Sequence, residues 1–405
     1  MVEKTLRVGG VSVHTGTIPS KTLRETVLNL TGWRERGFYG RSYKVKQDIT
    51  AVDLRHRLSK TLEHEVDVLE HQFLRNNVDV LQGTGRFLSA QEIEVVNAAG
   101  RVRRYTFDKA LIAVGTVPFR PDNIPFDHHR ILDSDEIIDI NEIPKSLTVV
   151  GAGVIGIEYA TIFSALDVAV TLIEPRDTVL DFVDSEVITA FLHDLRTRGV
   201  KLQLGWSVQN IRRDDASCLV DFHDGRQIRS DMVLFAAGRV GATAQLCLEA
   251  CGLETDNRNR IIVDPQTYLT SNPNIYAAGD IIGFPSLAST AMEQGRVAIC
   301  HAFDIQGAKP PKHFPYGIYS VPEISMIGLT ERDLKEQNIP YECGVARLCE
   351  TSRGHIMGLK DGMLKMLFSR DTRELLGYIL SVRARRSSSI LGRPFRISAE
   401  RWTTL

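Results

Sequence analysis

Residues 147–177 read LTVVGAGVIGIEYATIFSALDVAVTLIEPRD. Leu147 to Val150 is a β-rich run, and Gly151, Gly153 and Gly156 follow it at G-x-G-x-x-G spacing. A helical stretch comes next, then a β-branched run from Val168 to Ile173 that closes on Glu174, 18 residues after the last glycine. Each glycine has its own physical reason. Gly151 permits the tight turn, Gly153 lets the backbone approach a pyrophosphate, and Gly156 allows close packing of helix on strand. The helix N-terminus adds free N–H groups and a partial positive charge that suit phosphates. The expectation is an α/β fold with a Rossmann-like dinucleotide-binding domain.

The remaining composition bounds the rest. A chain of 405 residues predicts two or three domains with sizeable cores. Lys plus Arg number 49 against 50 Asp plus Glu, a net charge of −1, which argues against bulk attraction to nucleic acid or an anionic membrane. No apolar run approaches membrane-spanning length, and residues 1–10 do not resemble a signal peptide. Six cysteines (Cys218, Cys247, Cys251, Cys300, Cys343, Cys349) are scattered without metal-ligand pairs, so reduced thiols and no metal are expected. His56, His64 and His71 fall in one predicted helix, where a solvated face is expected rather than a metal site. These features point to a soluble, cytoplasmic protein.

Working outward from the glycine turn, Met1 to Glu3 reads like the end of a strand, with Glu3 placed like Glu174. VGGVSVHTGTIPSK, Val8 to Lys21, is a turn and helix start, with Pro19 suited to a first turn and Ser20 to capping, and residues 20–38 are expected to be helical. Residues 49–74 carry Leu54, Leu58, Leu62, Val66, Leu69 and Phe73 at spacings of three and four, predicting a long amphipathic helix. From Val78, the runs VDVLQG, GRFLSA, EIEVVNA and RVRRYTF predict an antiparallel meander with a hairpin turn at Ala99-Gly100. Apolar strands are expected at ALIAVGTVP (Ala110 to Pro118), MVLFAAGR (Met232 to Arg239) and NIYAAGD (Asn274 to Asp280), a helix over Leu287 to Phe303, and alternating strands at GMLKMLFS and LLGYIL. Pro310-Pro311 marks a linker. The expected division is 1–145 with 266–308, an inserted domain at 146–265, a partial interface domain at 309–380, and a basic tail from 381.

The ordered set VGG…GTIPSK, ALIAVGTVP, GAGVIGIEYA, FAAGR and YAAGD resembles the pyridine nucleotide–disulfide oxidoreductase family. The resemblance implies FAD in the split domain, NAD or NADP in the inserted one, and a homodimer through the third domain. A disulfide-active member carries C-x-x-x-x-C before I-P-S-K; Ser12 and Thr17 stand at those positions here. With no thiolate to relay electrons, hydride must leave at the flavin level. With IIGFPSLASTAMEQGR and GIYSVPEIS, the pattern is similar to the FAD-dependent pyridine-nucleotide transhydrogenases of the Si-specific type, enzymes moving hydride from NADPH to NAD+ in a ping-pong cycle.

The resemblance also implies residue roles. Lys21 would reach the flavin edge paired with Glu158, where a cation stabilises charge on the reduced ring. Glu174 would accept from the adenine-ribose hydroxyls of NAD, and Arg176 would attract the 2′-phosphate of NADP. Glu3 would hold the FAD ribose, with Gly9, Gly10, Val11, Ser12 and Thr17 running along the cofactor. Gly115 would lie beside FAD, Asp280 would contact its ribityl chain, and Gly238 of the FAAGR turn would be cofactor-binding; His14 is expected to be structural.

Two ends depart from the family pattern. A first G-x-G-x-x-G for the FAD pyrophosphate is not found, so weak FAD binding, impaired dimerisation and low activity are expected. Residues 382–405 hold six arginines, no lysine and one glutamate, and read as an out-of-frame extension or a basic tail. Two other functions stay open at this point: an NAD(P)-binding remnant without catalysis, and a flavin reductase that passes electrons to a quinone or small oxidant.

Overall fold

The computed structural model describes residues 1–40, 42–307, 309–311 and 313–382, so the basic tail beyond Val382 lies outside the described residues. The chain divides into two compact units. One comprises Met1–Pro19, Leu58–Phe119 and the stretch from Gly238, and the other Ser20–Arg57, Arg120–Ala237 and the described residues from His313.

The second unit is built on the opening stretch of sequence. Ser146–Val150, the helix Val154–Ala165 and Ala169–Glu174 form the expected strand, helix and strand. They sit in a five-stranded parallel sheet of spatial order 201–204, 169–174, 146–150, 232–235, 131–133. Both faces of such a sheet are covered, which explains the unbroken apolar strands: Leu147, Val149 and Leu172 are fully buried, as are Val233 and Leu234. The helix Val154–Ala165 has almost no polar side because Gly156 to Ala165 are all buried. Helix Ser185–Thr197 starts at Asp184, whose carboxylate accepts from the Glu186 N–H.

An antiparallel three-stranded sheet (Val208–Arg213, Cys218–Phe222, Gln227–Ser230) is inserted before the Met232 strand. Residues from Tyr316 form a five-stranded antiparallel sheet in which Met363–Ser369 alternates buried and half-buried positions, the period-two pattern of a one-faced sheet.

In the first unit, Val2–Glu3 pairs in parallel with Leu81–Gln82, and Ala110–Ile112 pairs in parallel with Ile275–Ala277, as two separate two-stranded sheets. Its core gathers Phe87, Ile112, Leu248, Leu253, Ile261, Ile275 and Ile281. Val8 and Val13 pack with Val66, Leu62, Leu69 and Phe73 from the long helix Ala51–Arg75, so the predicted apolar stripe is the buried one.

The structure differs from the sequence expectations in four places. VDVLQG does not join the meander; its Leu81–Gln82 pairs with Val2–Glu3, leaving a three-stranded Thr84–Ser89, Glu92–Val96, Val102–Thr106 sheet. The helix predicted over 20–38 begins at Thr17 and stops at Leu30, because Gly32 takes a left-handed conformation of φ +60°. Ser20 therefore lies inside the helix rather than capping it. The parallel sheet reaches outside 146–265 through Ile131–Asp133, and residues after Gly238 pack elsewhere, since Arg239–Gly241 pairs with Thr116–Pro118.

Candidate functional site

The glycine turn is shaped by steric necessity at two positions and is open at a third. Gly151 has φ +101°, and a Cβ there would lie 2.5 Å from the Ala236 carbonyl oxygen. A Cβ on Gly156 would lie 1.9 Å from the Gly151 carbonyl oxygen, so only hydrogen lets the helix sit this close to the turn. Gly153 has nothing within 4 Å of an added Cβ and an extended backbone (φ −72°, ψ −177°). Its carbonyl accepts the first helical bond, from Ile157 at 2.9 Å. The N–H groups of that first turn have no intrahelical partner, the donor arrangement by which helix N-termini attract anions.

Glu174 closes the adjacent strand and is 4% exposed. Its Oε2 accepts from the Ala152 N–H at 2.8 Å, tying the acid to the glycine turn, and its Oε1 accepts from Arg176 Nε at 2.8 Å. Burial works against the carboxylate, but the Arg176 guanidinium and the Ala152 N–H hold it below the usual carboxylate range. Arg176 is exposed, and its Nη1 also reaches Asp181 at 3.1 Å. The sequence reading did not single out Asp181.

The predicted pair Lys21 and Glu158 is brought together. Lys21 Nζ lies 2.9 Å from both Glu158 oxygens, and the pair is 27% and 5% exposed. The Glu158 Oε1 also accepts from the Tyr319 N–H at 2.9 Å, while Lys21 Nζ stands 4.6 Å over the Tyr319 ring. Thr161, one turn on, accepts from the Val321 N–H at 3.0 Å. Thus GIYSVPEIS, quoted above only for its resemblance, supplies two backbone donors to the glycine-turn helix. A buried cation completes the unit: Lys365 is 2% exposed and meets Asp184, Glu186 and Glu331 at 3.0, 3.1 and 2.7 Å. Pairing with Lys365 holds the Glu331 carboxyl down at about 2.

In the other unit, Gly9 (φ +124°) and Gly10 (φ +53°) form the turn into the short helix Gly10–His14, which carries the half-buried Val11 and Ser12. Thr17 opens the next helix. His14 Nε2 meets the Val8 carbonyl oxygen at 2.9 Å, a contact within its own turn. Glu3 Oε1 accepts from the N–H and hydroxyl of Thr5, both at 2.8 Å. Gly115 has φ +69°, and Gly238, exposed, has φ +129°. Asp280 is half-buried, and burial pushes its carboxyl up, against the opposing pull of Arg239 and a hydrogen bond with Thr116. Arg239 in turn donates to the Thr116 hydroxyl and carbonyl, both at 2.8 Å, and the Gly279 N–H donates to Gln294 at 2.8 Å. Asp280 and Arg239 close motifs singled out above, but no spacing indicated that Thr116 would join them.

Among the described residues, no three His, Cys, Asp or Glu side chains are gathered so that they could hold a metal ion, and no helix is long and apolar enough to cross a membrane.

The family model described as pyridine nucleotide-disulphide oxidoreductase matches residues 1–295, and that of the family's dimerisation domain matches residues 314–387. The chain is 47% identical over 378 residues to a soluble pyridine nucleotide transhydrogenase of Mycobacterium bovis, covering 93% of this chain and 81% of that protein. It is 39% identical to one of Colwellia psychrerythraea with the same coverage of 93% and 81%. Among solved structures it is similar to LpdA from Mycobacterium tuberculosis, with a TM-score of 0.87 at 26% identity over 94% of this chain and 83% of that one. The flavoprotein disulfide reductase RclA of Escherichia coli shares the fold, with a TM-score of 0.83 at 23% identity over 96% of this chain and 86% of that one. The chain belongs to the pyridine nucleotide–disulphide oxidoreductase family.

Proposed function

We propose that the protein catalyses hydride transfer between NADPH and NAD+, with FAD as resident cofactor, the two nucleotides alternating at the glycine turn of residues 151–156. The observation that carries this reading is the pairing of Glu174 with Arg176 beside that turn. A carboxylate suits the ribose of NAD and disfavours a 2′-phosphate, whereas a guanidinium favours the phosphate. A site with both can admit either nucleotide. The names of the relatives, soluble pyridine nucleotide transhydrogenases, point the same way.

The residues that would face FAD fit it at two ends. Asp280, a half-buried carboxyl beside Thr116 and Arg239, has oxygens that can bond ribityl hydroxyls. Glu3 keeps acceptor capacity for a ribose beyond its bonds to Thr5. Bound FAD supplies a two-electron hydride carrier, the chemistry that no side chain provides. Lys21, held by Glu158 and the Tyr319 ring, supplies a positioned cation for negative charge on a reduced ring. With Ser12 and Thr17 where a disulfide-active member has cysteines, electrons return to nicotinamide and the cycle is ping-pong. The antiparallel domain from Tyr316 is the face through which two copies would meet.

The test is turnover of NADPH with an NAD+ analogue of distinct absorbance, using the protein supplied with FAD. Parallel initial-velocity lines support the alternating site. Intersecting lines, or turnover only with a quinone acceptor, overturn it.

A further inference from the structure

We infer that Asp181 sets the discrimination between phosphorylated and unphosphorylated nucleotides, as the carboxylate on which Arg176 rests while Glu174 is engaged by a ribose. The inference rests on the reading of Glu174 and Arg176 given above and adds to it the residue that tunes them.

The Gly205 N–H donates to the Arg176 carbonyl at 3.0 Å and the Trp206 N–H to the Glu174 carbonyl at 3.2 Å, so the backbone at both residues is tied to the neighbouring chain. The far end of the loop is tied as well, because Asp184 caps helix Ser185–Thr197 and pairs with the buried Lys365. The exposed side chains are those of Arg176, 46% exposed, and Asp181, 49% exposed.

The guanidinium is shared. Its Nε covers Glu174 Oε1 at 2.8 Å while its Nη1 meets Asp181 Oδ2 at 3.1 Å. The other Glu174 oxygen is taken by the Ala152 N–H at 2.8 Å. A ribose hydroxyl that approaches Oε1 meets an oxygen that already accepts from Arg176 Nε at 2.8 Å and from the Arg176 N–H at 3.3 Å, and so competes with Nε there. If Arg176 yields, it keeps Asp181 as a partner and its charge stays compensated. A 2′-phosphate, in contrast, can take only the guanidinium N–H groups that Glu174 and Asp181 leave over, and it lies near the negative charge of each. Asp181 thus helps the unphosphorylated nucleotide and opposes the phosphorylated one.

Asp181→Asn removes the resting place and one repelling charge while keeping the shape. Affinity for adenosine 2′,5′-bisphosphate should rise about threefold to fivefold, the scale of one exposed ion pair, and affinity for 5′-AMP should stay level or fall. Calorimetry with these two probes needs neither flavin nor hydride transfer. The gain should shrink as salt is raised, because the charges are exposed. Asp181→Glu should restore the parent ratio, and in an Arg176→Ala background Asp181→Asn should change the ratio less than in the parent, because only the direct repulsion is then removed. Equal changes for both probes, or no change in their ratio, would overturn the role of Asp181. If Arg176→Ala alone leaves the bisphosphate affinity intact, it is the underlying reading of Arg176 that fails.

Discussion

Gly153 and Gly156 lie three residues apart, yet the geometry assigns them opposite roles that one pair of variants separates. In Gly156→Ala the new methyl would sit 1.9 Å from the Gly151 carbonyl oxygen and 3.4 Å from the Val149 side chain. Both the helix and the turn would have to part by about 1 Å to reach an ordinary contact, and the obstacle is backbone, which cannot rotate aside. Overpacking of this kind costs about 1–3 kcal/mol, and backbone against backbone belongs at the upper end. A loss of about 3 kcal/mol in a unit of this size lowers Tm by about 6–12 °C. In Gly153→Ala the methyl meets nothing within 4 Å, and φ −72°, ψ −177° is open to any L-residue. Stability should stay within about 1 kcal/mol, since helix-cap and chain-entropy effects are small and opposed. The open space is, however, where the pyrophosphate is proposed to approach, so NADH affinity should fall at least about tenfold. Thermal unfolding followed by circular dichroism and NADH binding followed by fluorescence read the two effects. A Gly153→Ala protein that binds NADH like the parent would refute the assignment of the pyrophosphate to this turn. An undiminished Tm for Gly156→Ala would refute the packing argument.

Other outcomes follow from the charges. Lys365→Met leaves Asp184, whose side chain is 1% exposed, without its cation, and should destabilise the unit by about 3–5 kcal/mol in denaturant titration. Glu331, held at about 2 by Lys365 against an ordinary 4.5, contributes stability present above pH 4.5 and lost as pH falls toward 2. That contribution is on the order of 3 kcal/mol, and Glu331→Gln should flatten the acid limb of the stability profile in this window. Lys21→Met should slow reduction of bound flavin by NADPH about tenfold to a hundredfold while NADH affinity stays within about twofold, as measured by stopped flow and fluorescence. Equal losses in rate and affinity would make Lys21 a merely structural partner of Glu158.

The fold was legible where local chemistry and tertiary context agree. In the stretch from Leu147 to Glu174, strand, glycine turn, helix and acid occupy the positions their spacing predicted. Leu81–Gln82 misled because two residues of strand carry no periodicity, and a parallel partner 79 residues away, Val2 opposite Leu81, leaves no trace in a local pattern. The helix from Thr17 ended early because a left-handed Gly32 outweighed the helical composition beyond it. At the site, Lys21 and Glu158 could be paired only through the family resemblance, since 137 residues separate them. Tyr319, Thr161 and Asp181 were invisible for a different reason. Two of them act through backbone N–H groups or a single hydroxyl, and the third through an exposed carboxylate, and none of these is encoded by a spacing.

In the proposed function, one site passes hydride to and from a flavin for two nucleotides in turn. Its most direct test is an anaerobic double-mixing experiment on the protein supplied with FAD. NADPH should bleach the flavin absorbance band and release NADP+; NAD+ added next should restore the band and yield about one NADH per flavin. A band that stays bleached with NAD+ but recovers with a quinone would contradict the account.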